Sequence, residues 1–121
     1  MRIERFEDID AWKEGRELVK VIYECFKDNK DYNFKDQIQR AAISIMSNIA
    51  EGFDRGSNKE FIQFFVIARA SASEVRSLCY VALDNEYISE QMFEDLKERC
   101  LKINSLINGF IRYLKNSNRQ R

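Results

Sequence analysis

Apolar residues recur along this chain in steps of three and four, the period of a helix. The pattern is densest between Gln37 and Gly56. There Ile38, Ala41, Ala42, Ile45, Met46, Ile49 and Phe53 share one arc, while Gln37, Arg40, Ser44, Ser47, Asn48, Glu51 and Arg55 share the other. The apolar arc is what a packed bundle requires. The polar arc carries short hydroxyls and amides with just three charges, which suits close contact with another helix or another subunit better than a solvated face. Three more stripes flank it: Trp12, Gly15, Val19, Ile22 and Phe26; Phe61, Phe65, Ala68, Ala72, Val75, Cys79 and Ala82; and Phe93, Leu96, Cys100, Ile103, Ile107, Phe110 and Leu114. Gly15 costs roughly 1 kcal/mol against alanine inside a helix, so its place on a stripe predicts that another backbone passes close by. Beside the Phe61 stripe runs a second row, Phe64, Ile67, Ser71, Glu74, Leu78 and Val81. Together they make an apolar surface broader than one neighbouring helix needs.

Local signals divide the stripes. Asp8, or alternatively Asp10, is the expected cap of the first helix. The stretch DNKDYN favours a turn, and the second helix is expected to begin near Asn33 or Phe34. Ser57 and Glu60 form a capping-box pattern. Asn85 is expected to end the third helix in the left-handed conformation, and Ser89, followed by Glu90, caps the fourth. The predicted helices are 9–27, 34–54, 58–84 and 90–116, with a frayed basic tail at 117–121, all in one domain. Short connectors between four helices give an all-α, antiparallel up-down-up-down four-helix bundle.

Composition supports this. A chain of 121 residues without proline and with four glycines favours long helices and can bury a core. Lys plus Arg equals Asp plus Glu at 20 each, so there is no bulk attraction to nucleic acid or membrane. No apolar run approaches the roughly 18 residues of a membrane span, and the charged N-terminus lacks the apolar core of a signal peptide. A cytoplasmic protein is expected. Cys25, Cys79 and Cys100 are widely spaced and match no metal motif; Cys79 and Cys100 fall on core stripes.

The run QIQRAAISIMSNIAEGFDRGS resembles the signature of the four-helix-bundle family encoded in intervening sequences of bacterial 23S rRNA genes, the S23 family. Gln37, Ile38, Arg40, Ala41, Ala42, Ser44, Ile45, Ser47, Asn48, Ile49, Ala50, Glu51, Gly52 and Arg55 fit its pattern; Met46 departs from it, where the family often has proline. Trp12, Ile22 and Tyr23 fit its first helix, and Ser57, Glu60, Phe61, Ala68, Ser71 and Glu74 its third. The accessory proteins of diversity-generating retroelements are similar in fold. The resemblance implies a homo-oligomer, a pentamer, with a role around ribosomal RNA or a retroelement-type nucleoprotein.

Catalytic signals are absent from the sequence. Without histidine the chain lacks the commonest general base and metal ligand, and the Glu-x-x-His motif of di-iron bundles cannot form. No cofactor or metal is expected, and no enzyme activity. A facing pair of Glu51 and Glu74 is the one arrangement to weigh; the simpler expectation is that Glu51 pairs with Arg55, while Glu74 pairs with an arginine or caps an amide. The polar arc has two readings, a ligand or RNA site and a polar network fixing register and subunit contacts. The second is favoured, with Gln37, Arg40, Ser44, Asn48 and Ser71 as members and Glu51, Arg55 and Glu74 beside them. Charge gives the one hint of another partner. Residues 1–33 hold seven basic and nine acidic groups, residues 89–121 seven basic and four acidic. No acid follows Glu98, whereas Arg99, Lys102, Arg112, Lys115, Arg119 and Arg121 do. These six are the candidate contacts to RNA phosphates, with Tyr32 and Tyr113 as exposed stacking platforms; the alternative partner is a nucleic-acid-handling protein.

Overall fold

The computed structural model describes residues 3–117. A 3₁₀ turn at Phe6–Asp8 leads into α1 (Asp10–Cys25), followed by α2 (Tyr32–Phe53), α3 (Asn58–Asp84) and α4 (Glu90–Lys115). Among the described residues there is no strand. The helices form a ring in which each packs on its sequence neighbours and α1 closes onto α4, with no diagonal contact. This is an antiparallel up-down-up-down four-helix bundle. The expected frayed tail at 117–121 falls, after Ser117, outside the described residues.

The stripes become the core. Ile38, Ala41, Ala42, Ile45 and Ile49 of α2 meet Phe61, Phe65, Ala68, Ala72 and Val75 of α3, all buried. Aromatic rings gather at the two ends. Phe61 lies 4.9 Å from Phe65, and Phe110 of α4 lies 5.0 Å from Phe65. At the opposite end Phe34 sits 5.2 Å from Phe26 and 5.3 Å from Tyr87. The middle is filled by smaller side chains, including Ala42, Ala72 and Cys100. Burial pushes the Cys79 and Cys100 thiols up to about 12, so both are inert core residues at neutral pH.

Two glycines mark where helices approach most closely. A β-carbon on Gly15 would meet Ile45 Cγ2 at 3.3 Å and the Met46 backbone nitrogen at 3.7 Å, so α2 passes close to α1 there, as the stripe position implies. Gly52 is tighter: a β-carbon would come within 2.8 Å of Phe64 Cβ and 2.9 Å of Phe61 Cδ1. α2 runs unbroken through Met46, the position of the departure from the family pattern.

Several end signals differ from expectation. The N-cap of α1 is Ile9, with no side-chain cap bond. Asp8 is taken up as the last residue of the 3₁₀ turn, closed by Asp8 N–H to Arg5 O and Ile9 N–H to Phe6 O at 3.0 Å, and Asp10 is already the first helical residue, so the cap position falls between them. α2 starts at Tyr32 because Asp31 caps it, accepting from Phe34 N–H at 3.2 Å. Asp31 also accepts a hydrogen bond from the Tyr87 hydroxyl at 2.6 Å, which clasps the α1–α2 connector to the α3–α4 connector. The Tyr87 bond first, and then the Phe34 amide, hold this carboxyl below its usual range. Ser57 accepts from Glu60 N–H at 3.3 Å, but its hydroxyl lies 3.4 Å from the Glu60 carboxylate, so the capping box is closed side chain to side chain. Ser89 caps α4 through Met92 N–H at 3.1 Å. Asn85 stays at φ −92°. The left-handed residue is Glu86, at φ 59°, and Tyr87 N–H to Ala82 O with Glu86 N–H to Leu83 O completes a Schellman motif.

These geometries set two expectations in urea denaturation. Gly52→Ala gains about 1 kcal/mol of helix propensity but overfills the α2–α3 contact, so a net loss of about 1–3 kcal/mol is expected; a stabilised variant would disprove the close approach. Glu86→Gly relieves a left-handed side chain and is expected to add about 1 kcal/mol.

Candidate functional site

The polar arc of α2 faces outward along its junction with α3. Ser44 Oγ and Ser71 Oγ are 2.9 Å apart across the two helices. The Asn48 amide nitrogen donates to Ser44 O at 2.8 Å and to Ser44 Oγ at 2.9 Å. These three residues are the polar centre of the junction. Ser71 is buried, which makes its single hydroxyl partner costly to lose. The Asn48 carbonyl accepts no hydrogen bond among the described residues.

The network is smaller than expected. Gln37 and Arg40 are exposed and turn to residues one turn back on their own helix, Asn33 at 3.4 Å and Asp36 at 2.9 Å. Nothing buried competes for them at that end. Glu51 pairs with Arg55 at 3.0 Å, as the spacing implies. The Arg55 guanidinium also lies 4.7 Å from the centroid of the Phe64 ring, fixing the rim beside Gly52. Glu74 is exposed and finds neither an arginine nor an amide among the described residues. Glu51 and Glu74 therefore make no carboxylate pair inside the bundle.

A second feature of α3 stands next to this junction. Between Glu60 and Asp84, every exposed residue except Glu74 is uncharged. Val66, Ile67, Tyr80 and Val81 are 42%, 47%, 47% and 42% exposed. Of the row that broadened the α3 stripe, Phe64 meets Gly52 and Ser71 meets Ser44 of α2, while Ile67 and Val81 stay exposed.

The C-terminal cations separate into two groups. Arg99 is paired with Asp95 of its own helix at 3.0 Å and Lys102 with Glu14 of α1 at 3.3 Å, so both of these candidate phosphate contacts already hold a carboxylate. Arg112 and Lys115 are exposed and have no carboxylate partner among the described residues. Arg119 and Arg121 lie outside the described residues. Tyr32 and Tyr113 are exposed as expected, but so are Tyr23 and Tyr80. Two further cations escaped the sequence reading. Arg69 and Arg76, one heptad apart on α3, flank α4; Arg69 donates to Asn108 Oδ1 at 2.7 Å.

The charged cleft between the N-terminal turn and α1 is lined by Arg5, Glu7, Lys13, Glu14, Arg16 and Glu17, with Trp12 and Met46 beside them. Its carboxylates are engaged: Glu7 with Arg5 at 3.3 Å, Glu14 with Lys102 and Glu17 with Lys20 at 3.3 Å. Backbone and Arg5 hydrogen bonds hold Glu7 below its ordinary range, the opposite of a proton donor tuned for neutral pH. No group of His, Cys, Asp and Glu that could hold a metal occurs among the described residues. No helix there is long and apolar enough to cross a membrane.

The sequence model of a family described as 23S rRNA-intervening sequence protein matches residues 7–109. Among solved structures, the chain is similar to a protein with unknown function from the S23 ribosomal protein family of Bacteroides thetaiotaomicron VPI-5482. The two share 25% identity and a TM-score of 0.78, over 84% of this chain and 98% of that one. Among curated proteins none matches.

The Ser44–Ser71 contact makes a specific expectation. Ser44→Ala strands the buried Ser71 hydroxyl and is expected to cost about 1–3 kcal/mol, whereas Ser44→Ala/Ser71→Ala should cost less than the two single changes added together. Additive losses in urea titrations would show that the hydroxyls do not depend on each other.

Proposed function

Because the chain belongs to the 23S rRNA-intervening sequence protein family, we propose that it works by assembly and contact rather than by chemistry. It is a self-associating cytoplasmic bundle, a homopentamer, that joins RNA or a nucleoprotein complex and carries out no catalysis. The outer face of α3 carries this reading. A solvated helix normally presents mixed charges, yet this one shows Val66, Ile67, Ala70 and Val81 with serines and a single glutamate over almost its whole length. Apolar surface of this extent marks a contact site. The Asn48 carbonyl at the adjoining junction supplies an acceptor for a second copy. The RNA part of the reading is supported by the family and by the unpaired cations described above. A different protein seated on the same α3 face is the alternative, which would make the chain an interaction scaffold without nucleic-acid contact.

Light scattering on the purified protein is expected to give a mass several times 14.4 kDa, falling to a single chain in Ile67→Glu/Val81→Glu. A parent protein that is monomeric at micromolar concentration overturns self-association and leaves the scaffold reading.

A further inference from the structure

The groove between α3 and α4 holds cations that neither the tail nor the ion pairs account for. On α4, Lys97, Leu101, Asn104, Asn108, Arg112 and Lys115 follow one another in steps of three and four and share an arc. Antiparallel to them on α3 lie Arg69 and Arg76, on the same face as Asn58. Three contacts fix the register: Asn58 Nδ2 donates to Leu114 O at 3.3 Å, Arg69 donates to Asn108 at 2.7 Å, and Tyr80 packs on Phe93 at 4.7 Å. Between the last two, Arg76 stands near enough to Cys100 for its charge to oppose the upward shift of that thiol. The cations therefore line one groove from Lys97 to Lys115, a distance of about 27 Å.

The pairing of charge over the molecule is uneven. Lys20, Lys27, Arg40, Arg99 and Lys102 each have a carboxylate within 4.0 Å. Lys59, Arg69, Arg76, Arg112 and Lys115 have none among the described residues. Lys97 is paired with Glu94 at 3.7 Å and lies 5.7 Å from the centroid of the Phe93 ring, and Glu98 follows it on α4. Arg112 and Lys115 also complement the C-terminal end of α4, but that account does not reach Arg76 or Lys97. The Asn104 carbonyl oxygen is buried and accepts no hydrogen bond among the described residues. A buried acceptor left open one turn from Asn108, which Arg69 already bonds, is costly to the fold and useful to a ligand. Tyr80, held edge-on by Phe93, and Leu101, 42% exposed, add apolar surface beside the cations.

Resting on the RNA part of the reading above, we propose that this α3–α4 groove binds a single strand of RNA, its cations following the phosphates and Asn104 accepting from a ribose hydroxyl or a base. A single file of charges with flanking apolar faces suits one strand, whose bases are free to stack. The molecule is neutral overall, so the attraction is local and salt-sensitive.

The test uses the whole protein and a mixed-sequence single-stranded RNA of about 20 nucleotides, a length on the scale of known single-strand sites. Arg76→Gln/Arg112→Gln/Lys115→Gln is compared with a charge-matched control, Lys13→Gln/Lys20→Gln/Lys35→Gln, and with Arg119→Gln/Arg121→Gln in the tail. The groove variant is expected to lose roughly 100-fold in affinity at about 50 mM salt, and its slope of log affinity against log salt should shrink by about 2, at roughly 0.7 per phosphate contact. The control should bind like the parent, and all variants should melt like it. Asn104→Leu removes an unsatisfied carbonyl without changing charge; it should hold or raise Tm while weakening binding about tenfold, a loss of about 1.4 kcal/mol. Parent-like binding by the groove variant, or a loss confined to the tail variant, overturns the groove while the RNA reading stands. A parent protein that binds no RNA even at low salt overturns both.

Discussion

The missing β-carbon at residue 52 sets how close α2 comes to α3, and much of the bundle's outer architecture depends on that distance. With Phe61 and Phe64 against the bare backbone of Gly52, the two helices lie near enough for the Ser44 and Ser71 hydroxyls to meet. Flanking the glycine, Glu51 and Arg55 pair, and the guanidinium covers the ring of Phe64. The run SIMSNIAEGFDR is thus intelligible as a set of parts for one helix–helix junction: the Ser44 hydroxyl and Asn48 amide for the polar centre, Ile45 and Ile49 for the core, glycine for the approach, and a Glu–Arg pair for the rim.

The fold was legible because the chain repeats a single period four times without a proline to interrupt it. Core residues at that period are fixed by local geometry, and Ser57 and Ser89 announce helix starts through bonds to amides three residues away. The signals that misled depend on longer or subtler contacts. Asp31 gave no sign of its importance, since the hydroxyl it binds belongs to Tyr87, 56 positions further on. Asp8 and Asp10 have the chemistry of caps but not the position, because the 3₁₀ turn takes up Asp8 and the helix begins with Asp10 itself. The left-handed position fell one residue beyond Asn85, where the backbone and not the side chain decides.

The candidate surfaces were less legible, for a related reason. A polar arc defines which residues share a side of α2, not which of them reach a partner. Gln37 and Arg40 settle on their own helix, and Ser44, Asn48 and Ser71 form the contact. A run of basic residues at the chain end likewise hides the fact that Arg99 pairs within its own helix and Lys102 with Glu14 of α1, while Arg112 and Lys115 have no carboxylate among the described residues. Arg69 and Arg76 sit inside a helix whose apolar rows dominate its pattern, so their alignment with α4 emerges with the antiparallel register. α3 consequently carries three different edges: a polar junction with α2, an uncharged outer face, and a cationic border with α4.

The ring of helix contacts also has an order in time. α1 packs on α2, α2 on α3 and α3 on α4, all between sequence neighbours, and such contacts close quickly because the intervening loops are short. The α1–α4 contact joins opposite ends of the chain and is the least extensive of the four interhelical ones. Its polar tie is the exposed Lys102–Glu14 pair, which contributes little. The Asp31–Tyr87 clasp holds the α2 end of the α1–α2 connector, and Phe26, buried against Phe34, holds its α1 end. The seam between first and last helices is therefore the slightest of the ring, while α1 stays tied to α2 at both its core stripe and its exit.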